Sequence, residues 1–95
     1  MTENNNNIRK TDGLLYKTRS QTDKVKISVY NNSGVLEQET QWNIKLTKTG
    51  SSFSLPSNLN HDIIVTEYDS KDNIVIVEFY WSLSRFGFYD RNKER

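Results

Sequence analysis

The stretch IIVTEYDSKDNIVIVEFYWSL, residues 63–83, predicts a β-hairpin that is apolar on both of its faces. One alternating set of side chains comprises Ile63, Val65, Val75, Val77, Phe79, Trp81 and Leu83. The other set comprises Ile64, Tyr68, Ile74, Ile76 and Tyr80. A hairpin in a small open sheet needs only one apolar face, because the other face contacts water. The second face therefore needs a cover, which is either the rest of this chain or another molecule.

The turn of this hairpin lies within residues 69–73, whose Asp, Ser and Asn side chains favour turns. If Asp69 and Asn73 flank the turn, Tyr68 pairs with Ile74. The same register places Val65 opposite Val77 and Ile63 opposite Phe79. No glycine fixes this turn, so the sequence is also compatible with a register shifted by one residue. Both registers leave the two faces largely apolar.

A second hairpin is predicted upstream, around the turn residues 31–34. Its first strand begins at Lys24 and places Val25, Ile27 and Val29 on one face. Its second strand runs through Thr47, with Leu36, Trp42, Ile44 and Leu46 on one side. The expected register pairs Val29 with Leu36 and Lys26 with Glu39. A further turn at residues 48–51 pairs Thr47 with Ser52, and residues 13–19 are expected to form a short edge strand.

The chain as a whole is expected to be all-β, because no segment shows a helical period over ten or more residues. We predict a small antiparallel meander of five to six strands, forming a barrel or a two-layer sandwich, with little or no helix. Residues 1–11 contain four consecutive asparagines and are expected to be a disordered N-terminal tail. Residues 12–90 form the single all-β domain, and residues 91–95 form a frayed basic C-terminal tail.

Composition limits the classes of function. The 95 residues carry 13 basic and 12 acidic side chains, and the mean hydropathy is −0.81. A net charge of +1 gives no whole-molecule field that attracts nucleic acid or an anionic membrane. The absence of cysteine from the sequence excludes disulfides and thiolate zinc sites. We expect a cytoplasmic protein without a membrane segment, because neither a secretion signal nor a long apolar run is present.

The sequence offers weak support for catalysis. The single histidine, His61, lies in a predicted polar loop next to Asp62, and the two residues offer only adjacency in sequence, since neighbouring side chains on a strand point to opposite faces. Asp69, Asp72 and Asn73 have the oxygen atoms that hard cations prefer, yet a calcium loop needs a longer alternating ligand set with a glycine. We therefore expect no enzymatic activity, no metal and no cofactor.

The second apolar face is the strongest functional feature of the sequence. Its predicted protein-binding residues are Tyr68, Ile74, Ile76, Glu78 and Tyr80. Large aromatic side chains supply much contact area at protein interfaces. The expected function is that of a small non-enzymatic protein-binding module, an inhibitor or assembly subunit, which uses this face or an edge strand. Its partner is another protein or a second copy of the chain in a homodimer.

The C-terminal segment supports an alternative function in nucleic-acid binding. It combines aromatic with basic side chains, which can stack on bases and neutralise phosphates. The residues concerned are Arg85, Phe86, Phe88, Tyr89, Arg91 and Lys93. Closure of the sheet by a last short strand with a charged end explains the same composition, so both interpretations stand at this point.

Overall fold

Six antiparallel strands form the fold in the computed structural model, which describes residues 10–44 and 52–84. They are β1 (Leu15–Lys17), β2 (Lys24–Asn31), β3 (Leu36–Asn43), β4 (Ser52–Ser54), β5 (His61–Tyr68) and β6 (Ile74–Tyr80). Strands β3-β2-β5-β6 form one sheet in that order, and β1 pairs with β4 in a separate two-stranded ribbon. The all-β prediction is confirmed, and the architecture is a sandwich-like pair of layers, not a closed barrel.

The core lies between the two layers, on one face of the four-stranded sheet, here called the inner face. Its buried apolar side chains are Tyr16, Val25, Ile27, Val29, Ile44, Leu55, Ile63, Val65 and Tyr80. The ribbon contributes Tyr16, whose ring stacks on Phe53 with the centroids 5.2 Å apart. Trp42 of β3 meets the same Phe53 edge-on at 5.0 Å. The short ribbon thus covers the sheet with aromatic rings, which bury much area per residue.

The alternation predicted for β2 is observed. Val25, Ile27 and Val29 are buried on the inner face. Lys24 and Lys26 project from the opposite, outer face, where their ammonium groups lie 5.3 and 5.8 Å from the ring centroid of Tyr68. This period of two directs one side of β2 to the core and the other to solvent.

The register between β2 and β3 differs from the prediction. Val29 pairs with Gln38 instead of Leu36, and a bulge follows, after which Tyr30 pairs with Leu36. Leu36 is consequently 44% exposed and lies outside the core in which the sequence pattern placed it. Over most of the ladder the slip is two residues. A slip of two keeps every side chain on its original face.

The wider β2–β3 loop has a local cause in the side chain of Asn31. Its Oδ1 accepts the backbone N–H groups of Ser33 (2.8 Å) and Val35 (3.0 Å). These bonds close a loop over residues 31–35, longer than the turn that the sequence pattern suggested. The expected charge pair survives because the faces are unchanged: Lys26 Nζ lies 3.5 Å from Glu39 Oε2.

The hairpin of β5 and β6 begins in the predicted register and then shifts by one residue. Tyr68 pairs with Ile74 as expected, but a bulge after Glu67 places Glu67 opposite Ile76. Beyond the bulge the pairing therefore follows the shifted register that the turn sequence allowed. A shift of one residue moves side chains to the other face. Ile76, Glu78 and Tyr80 accordingly lie on the inner face.

Strand β4 pairs with β1, with Tyr16 opposite Phe53. Thr47 and the predicted turn at residues 48–51 lie outside the described residues, and Ser52, the predicted partner of Thr47, pairs with Lys17 of β1. The predicted edge strand within residues 13–19 is present as β1.

The N-terminal boundary of the domain is set by a buried amide. Asn58 Oδ1 accepts the N–H of Thr11 (2.9 Å), and Asn58 Nδ2 donates to the carbonyl of Trp81 (2.8 Å). Thr11, assigned to the tail from sequence, is thus fully buried and belongs to the folded domain. The remaining predicted tails, residues 1–9 and 91–95, lie outside the described residues.

Candidate protein-binding surfaces

The five predicted protein-binding residues do not share one surface. Tyr80 is 3% exposed and lies in the core, while Ile76 and Glu78 are half-buried beside it on the inner face. Tyr68 lies on the outer face, under Lys24 and Lys26. Ile74 is 60% exposed at the start of β6. The bulge at Glu67 separates these residues, since it moves the end of β6 to the inner face.

The residues of the nucleic-acid alternative fall beyond the described part of the chain. Arg85, Phe86, Phe88, Tyr89, Arg91 and Lys93 all lie C-terminal to residue 84. The structure therefore adds no geometry to that hypothesis.

The residues weighed for catalysis and metal binding have other partners. His61 Nε2 lies 3.0 Å from Glu37 Oε1, whereas Asp62 accepts the backbone N–H of Ser82 at 2.7 Å. Asp69 Oδ1 accepts two N–H groups of its own turn, those of Lys71 and Asn73, at 2.9 Å each. Among the described residues, no three His, Asp or Glu side chains come together where they could hold a metal ion.

A buried carboxylate, Glu67, joins the two layers. Its side chain is 0% exposed, and Oε1 accepts the backbone N–H of Arg19 at 3.0 Å and the hydroxyl of Thr22. Oε2 accepts the hydroxyl of Tyr16 and a guanidinium N–H of Arg19 at 3.1 Å. The other guanidinium nitrogen of Arg19 reaches Glu78 at 3.0 Å. All of the donors to Glu67 come from residues 16–22, so Glu67 fastens that segment to β5.

The network shifts the acid–base properties of its members. Burial alone would raise the pKa of Glu67, but hydrogen bonds from Thr22, Tyr16 and the Arg19 N–H, with the charge of Arg19, hold this pKa below its usual range. Burial and the hydrogen bond to Glu67 raise the pKa of the Tyr16 hydroxyl. Glu67 is therefore ionised and Tyr16 neutral near pH 7. Every buried side-chain nitrogen and oxygen in residues 10–44 and 52–84 has a hydrogen-bond partner.

Sequence reasoning missed this network, although one signal was available. Position 67 continues the inward alternation of Ile63 and Val65, so a charged side chain occupies a core position. A carboxylate there requires buried donors. The sequence does not show that Tyr16 and Arg19 supply them, because these residues are far away along the chain.

Strand β3 is an edge of the sheet. It pairs with β2, and no other described strand lies beside it. Its residues are exposed except for Trp42, which is half-buried. An edge strand carries backbone N–H and C=O groups that can pair with another chain.

The outward backbone groups of β3 can be identified from the ladder. Ile44 N donates to the carbonyl of Asp23 at 2.8 Å, in line with the Lys24–Asn43 register. Antiparallel ladders alternate, so the even-numbered residues of this part of β3 bond to β2. The peptide groups of Glu39, Gln41 and Asn43 therefore face away from the sheet. The bulge next to Glu37 interrupts this pattern at the start of the strand.

The same alternation identifies the outward groups of β6, the strand at the other edge of the sheet among the described strands. When the alternation is continued through the β2–β5 and β5–β6 pairings, Val65 exchanges backbone hydrogen bonds with Glu78, and Ile63 does so with Tyr80. Val77 lies between residues of β6 whose backbone groups bond to β5, so its own N–H and C=O groups point away from the sheet. Val77 is therefore the counterpart of Gln41 on the other edge.

A groove of about 300 Å³ follows β3 on the inner face. Its floor comprises Ile27, Val29 and Leu55, and its rim comprises Gln38, Thr40, Trp42, Ser54 and Pro56. Thr40 is the smallest side chain that β3 contributes to the rim. A strand laid along β3 could extend a side chain over Thr40 towards the apolar floor.

Comparison with protein-family models, curated proteins and solved structures finds no significant match for this chain. None of the described residues belongs to a helix with the length and apolar character needed to cross a bilayer.

Proposed function

We propose that this protein is a non-enzymatic protein-binding module, an inhibitor or assembly subunit, that pairs an extended segment of another polypeptide with the edge of β3. The observation that carries the proposal is the outward direction of the peptide groups of Glu39, Gln41 and Asn43 next to an apolar groove. Strand addition obtains affinity from backbone hydrogen bonds and specificity from pockets for alternate side chains. Both components are present at this edge.

The groove determines which side chains are favoured at the inner-facing positions of the bound segment. On the inner face, a residue of the added strand opposite Thr40 can reach the floor formed by Ile27 and Leu55. Apolar or aromatic side chains fit there, because burial of apolar area stabilises the complex by about 25 cal/mol per Å². The inner-facing position of the bound segment opposite Thr40 is therefore expected to be large and apolar.

The outer face of β3 determines which side chains are favoured at the outer-facing positions of the bound segment. Glu39 is exposed there, and its nearest charged partner among the described residues is Lys26 at 3.5 Å. A basic residue opposite Glu39 gains a favourable cross-strand pair, worth about 0.2–1 kcal/mol. The preferred segment therefore alternates apolar with polar or basic residues.

A displayed library of random peptides of about ten residues, the length of a long strand, tests the proposal. Gln41→Pro removes an outward N–H while leaving the ladder to β2 intact, and proline is tolerated on such edge positions. We expect the wild type to enrich peptides that alternate apolar with polar or basic residues, and we expect Gln41→Pro to lose them.

Val77→Pro is the matched control, since it removes the corresponding outward N–H from the opposite edge. It should bind the selected peptides as the wild type does. Urea unfolding of both variants verifies that each remains folded. Peptides that bind Gln41→Pro as well as the wild type would overturn the proposal, as would failure of the library to enrich any peptide at concentrations where the protein has the mass of one chain.

A further inference from the structure

We infer that the segment that fits the β3 edge is β3 of a second copy, paired antiparallel about a two-fold axis at Gln41. The inference rests on the proposed function, because it requires the same edge. Two four-stranded sheets would then join into one continuous sheet across the dimer.

The direction of the backbone groups fixes which registers are available. A two-fold axis at Gln41 brings the peptide groups of Gln41 in the two copies face to face. It also places Glu39 of each copy opposite Asn43 of the other copy. Each of these pairs joins two outward peptide groups, and each can exchange two hydrogen bonds. All three outward positions of β3 are used.

Registers centred at Glu39 and at Thr40 are less favourable. An axis at Glu39 would bring two carboxylates directly together, and like charges opposite each other destabilise a strand pair. An axis at Thr40 would leave Asn43 opposite Glu37, which lies at the β3 bulge. The axis at Gln41 avoids both problems, since amides face amides or carboxylates on the outer face.

The inner face is compatible with this register. Trp42 of each copy lies opposite Thr40 of the other, above the grooves that line the two β3 strands. A small side chain opposite a large one leaves room for both. The interface is a closed, isologous one, so it produces a dimer and does not extend to a filament.

A charge exchange at position 41 tests the register and the identity of the partner together. Gln41→Glu and Gln41→Lys each place two like charges at the axis, so each variant alone should dimerise about fivefold more weakly than the wild type. An equimolar mixture of the two variants should recover association, because the introduced carboxylate of one chain then faces the introduced ammonium group of the other across the axis. High salt should reduce these differences.

Light scattering across about 10 µM to 1 mM protein gives the measurement, with 11.2 kDa as the mass of one chain. We expect the mass of the wild type and of Val77→Pro to rise towards twice that value. Gln41→Pro should keep the mass of one chain. Asn43→Lys should strengthen the dimer, since it places a lysine opposite Glu39 of the other copy.

The inference would be overturned by a wild type that keeps the mass of one chain at every concentration. Dimers of Gln41→Pro, or a Gln41→Lys variant that dimerises more strongly than the wild type, would also overturn it. A monomeric wild type that still enriches peptides at β3 refutes self-pairing and leaves the proposed function intact. A dimer that only Val77→Pro abolishes would assign association to β6.

Discussion

Replacing Glu67 by glutamine tests whether the buried carboxylate stabilises the fold. The substitution keeps the shape of the side chain and removes its charge. In the wild type, four donors from Tyr16, Arg19 and Thr22 converge on the two carboxylate oxygens. Glutamine offers one acceptor oxygen and one NH₂ group. The NH₂ group must therefore face donors at one of the two oxygen positions.

The magnitude follows from these contacts. If the amide oxygen replaces Oε1, the Arg19 N–H and Thr22 hydroxyl bond to a neutral acceptor instead of a charged one, at a cost of about 1 kcal/mol each. Tyr16 can rotate its hydroxyl to accept from the new NH₂. The guanidinium of Arg19 cannot accept a hydrogen bond, so it loses its contact at the Oε2 position. Because the Arg19 side chain is 39% exposed, solvent reduces the cost of this lost contact to about 0.5–1 kcal/mol. The expected destabilisation is about 2.5–3 kcal/mol.

Urea unfolding followed by far-ultraviolet circular dichroism measures this difference. Glu39→Gln is the matched control, because Glu39 is exposed and pairs with Lys26 only at 3.5 Å. The control should change the free energy of unfolding by less than about 0.5 kcal/mol. If Glu67→Gln changed stability as little as the control does, the carboxylate network would contribute nothing and the reasoning would be refuted.

Three further predictions concern the same fold. Because folding lowers the pKa of Glu67, its carboxylate stabilises the fold fully above the ordinary glutamate pKa of about 4.3, and this stabilisation is lost as pH falls through the pKa of the folded state. The free energies of urea unfolding of the wild type and of Glu67→Gln should therefore converge in acid. The raised pKa of Tyr16 predicts that, in an absorbance titration, at least one of the five tyrosines ionises only when the protein unfolds. Asn58→Ala leaves buried backbone groups without partners and should cost about 2–4 kcal/mol in thermal unfolding, whereas exposed Asn60→Ala should be neutral.

Period-two alternation predicted the strands well because it reflects a local property of the chain. Val25, Ile27 and Val29 had to share a face, and they do. The hairpin between β5 and β6 was located correctly for the same reason. Register was harder, since a bulge depends on how a loop closes. The shift after Glu67 reverses the faces of β6 and could not be read from residues 74–80 alone.

The predicted site depended on that register, so its members were separated when the register shifted. Tyr80 entered the core, and Tyr68 stayed on the outer face. An edge strand was part of the original hypothesis, but the sequence did not identify which strand would lie at an edge. Strand order is a long-range property, and β3 became an edge because β5 pairs with the other side of β2.

The composition of β3 explains why an added strand would matter for this protein. Of its eight residues, only Trp42 is half-buried, so apolar burial contributes little to holding β3 in place. Its position therefore depends mainly on one ladder of hydrogen bonds to β2. A partner that binds only the ordered strand stabilises it by mass action. Amide exchange at Thr40 and Trp42, whose N–H groups bond to β2, should consequently slow when the outer edge is occupied, although neither amide touches the partner's backbone.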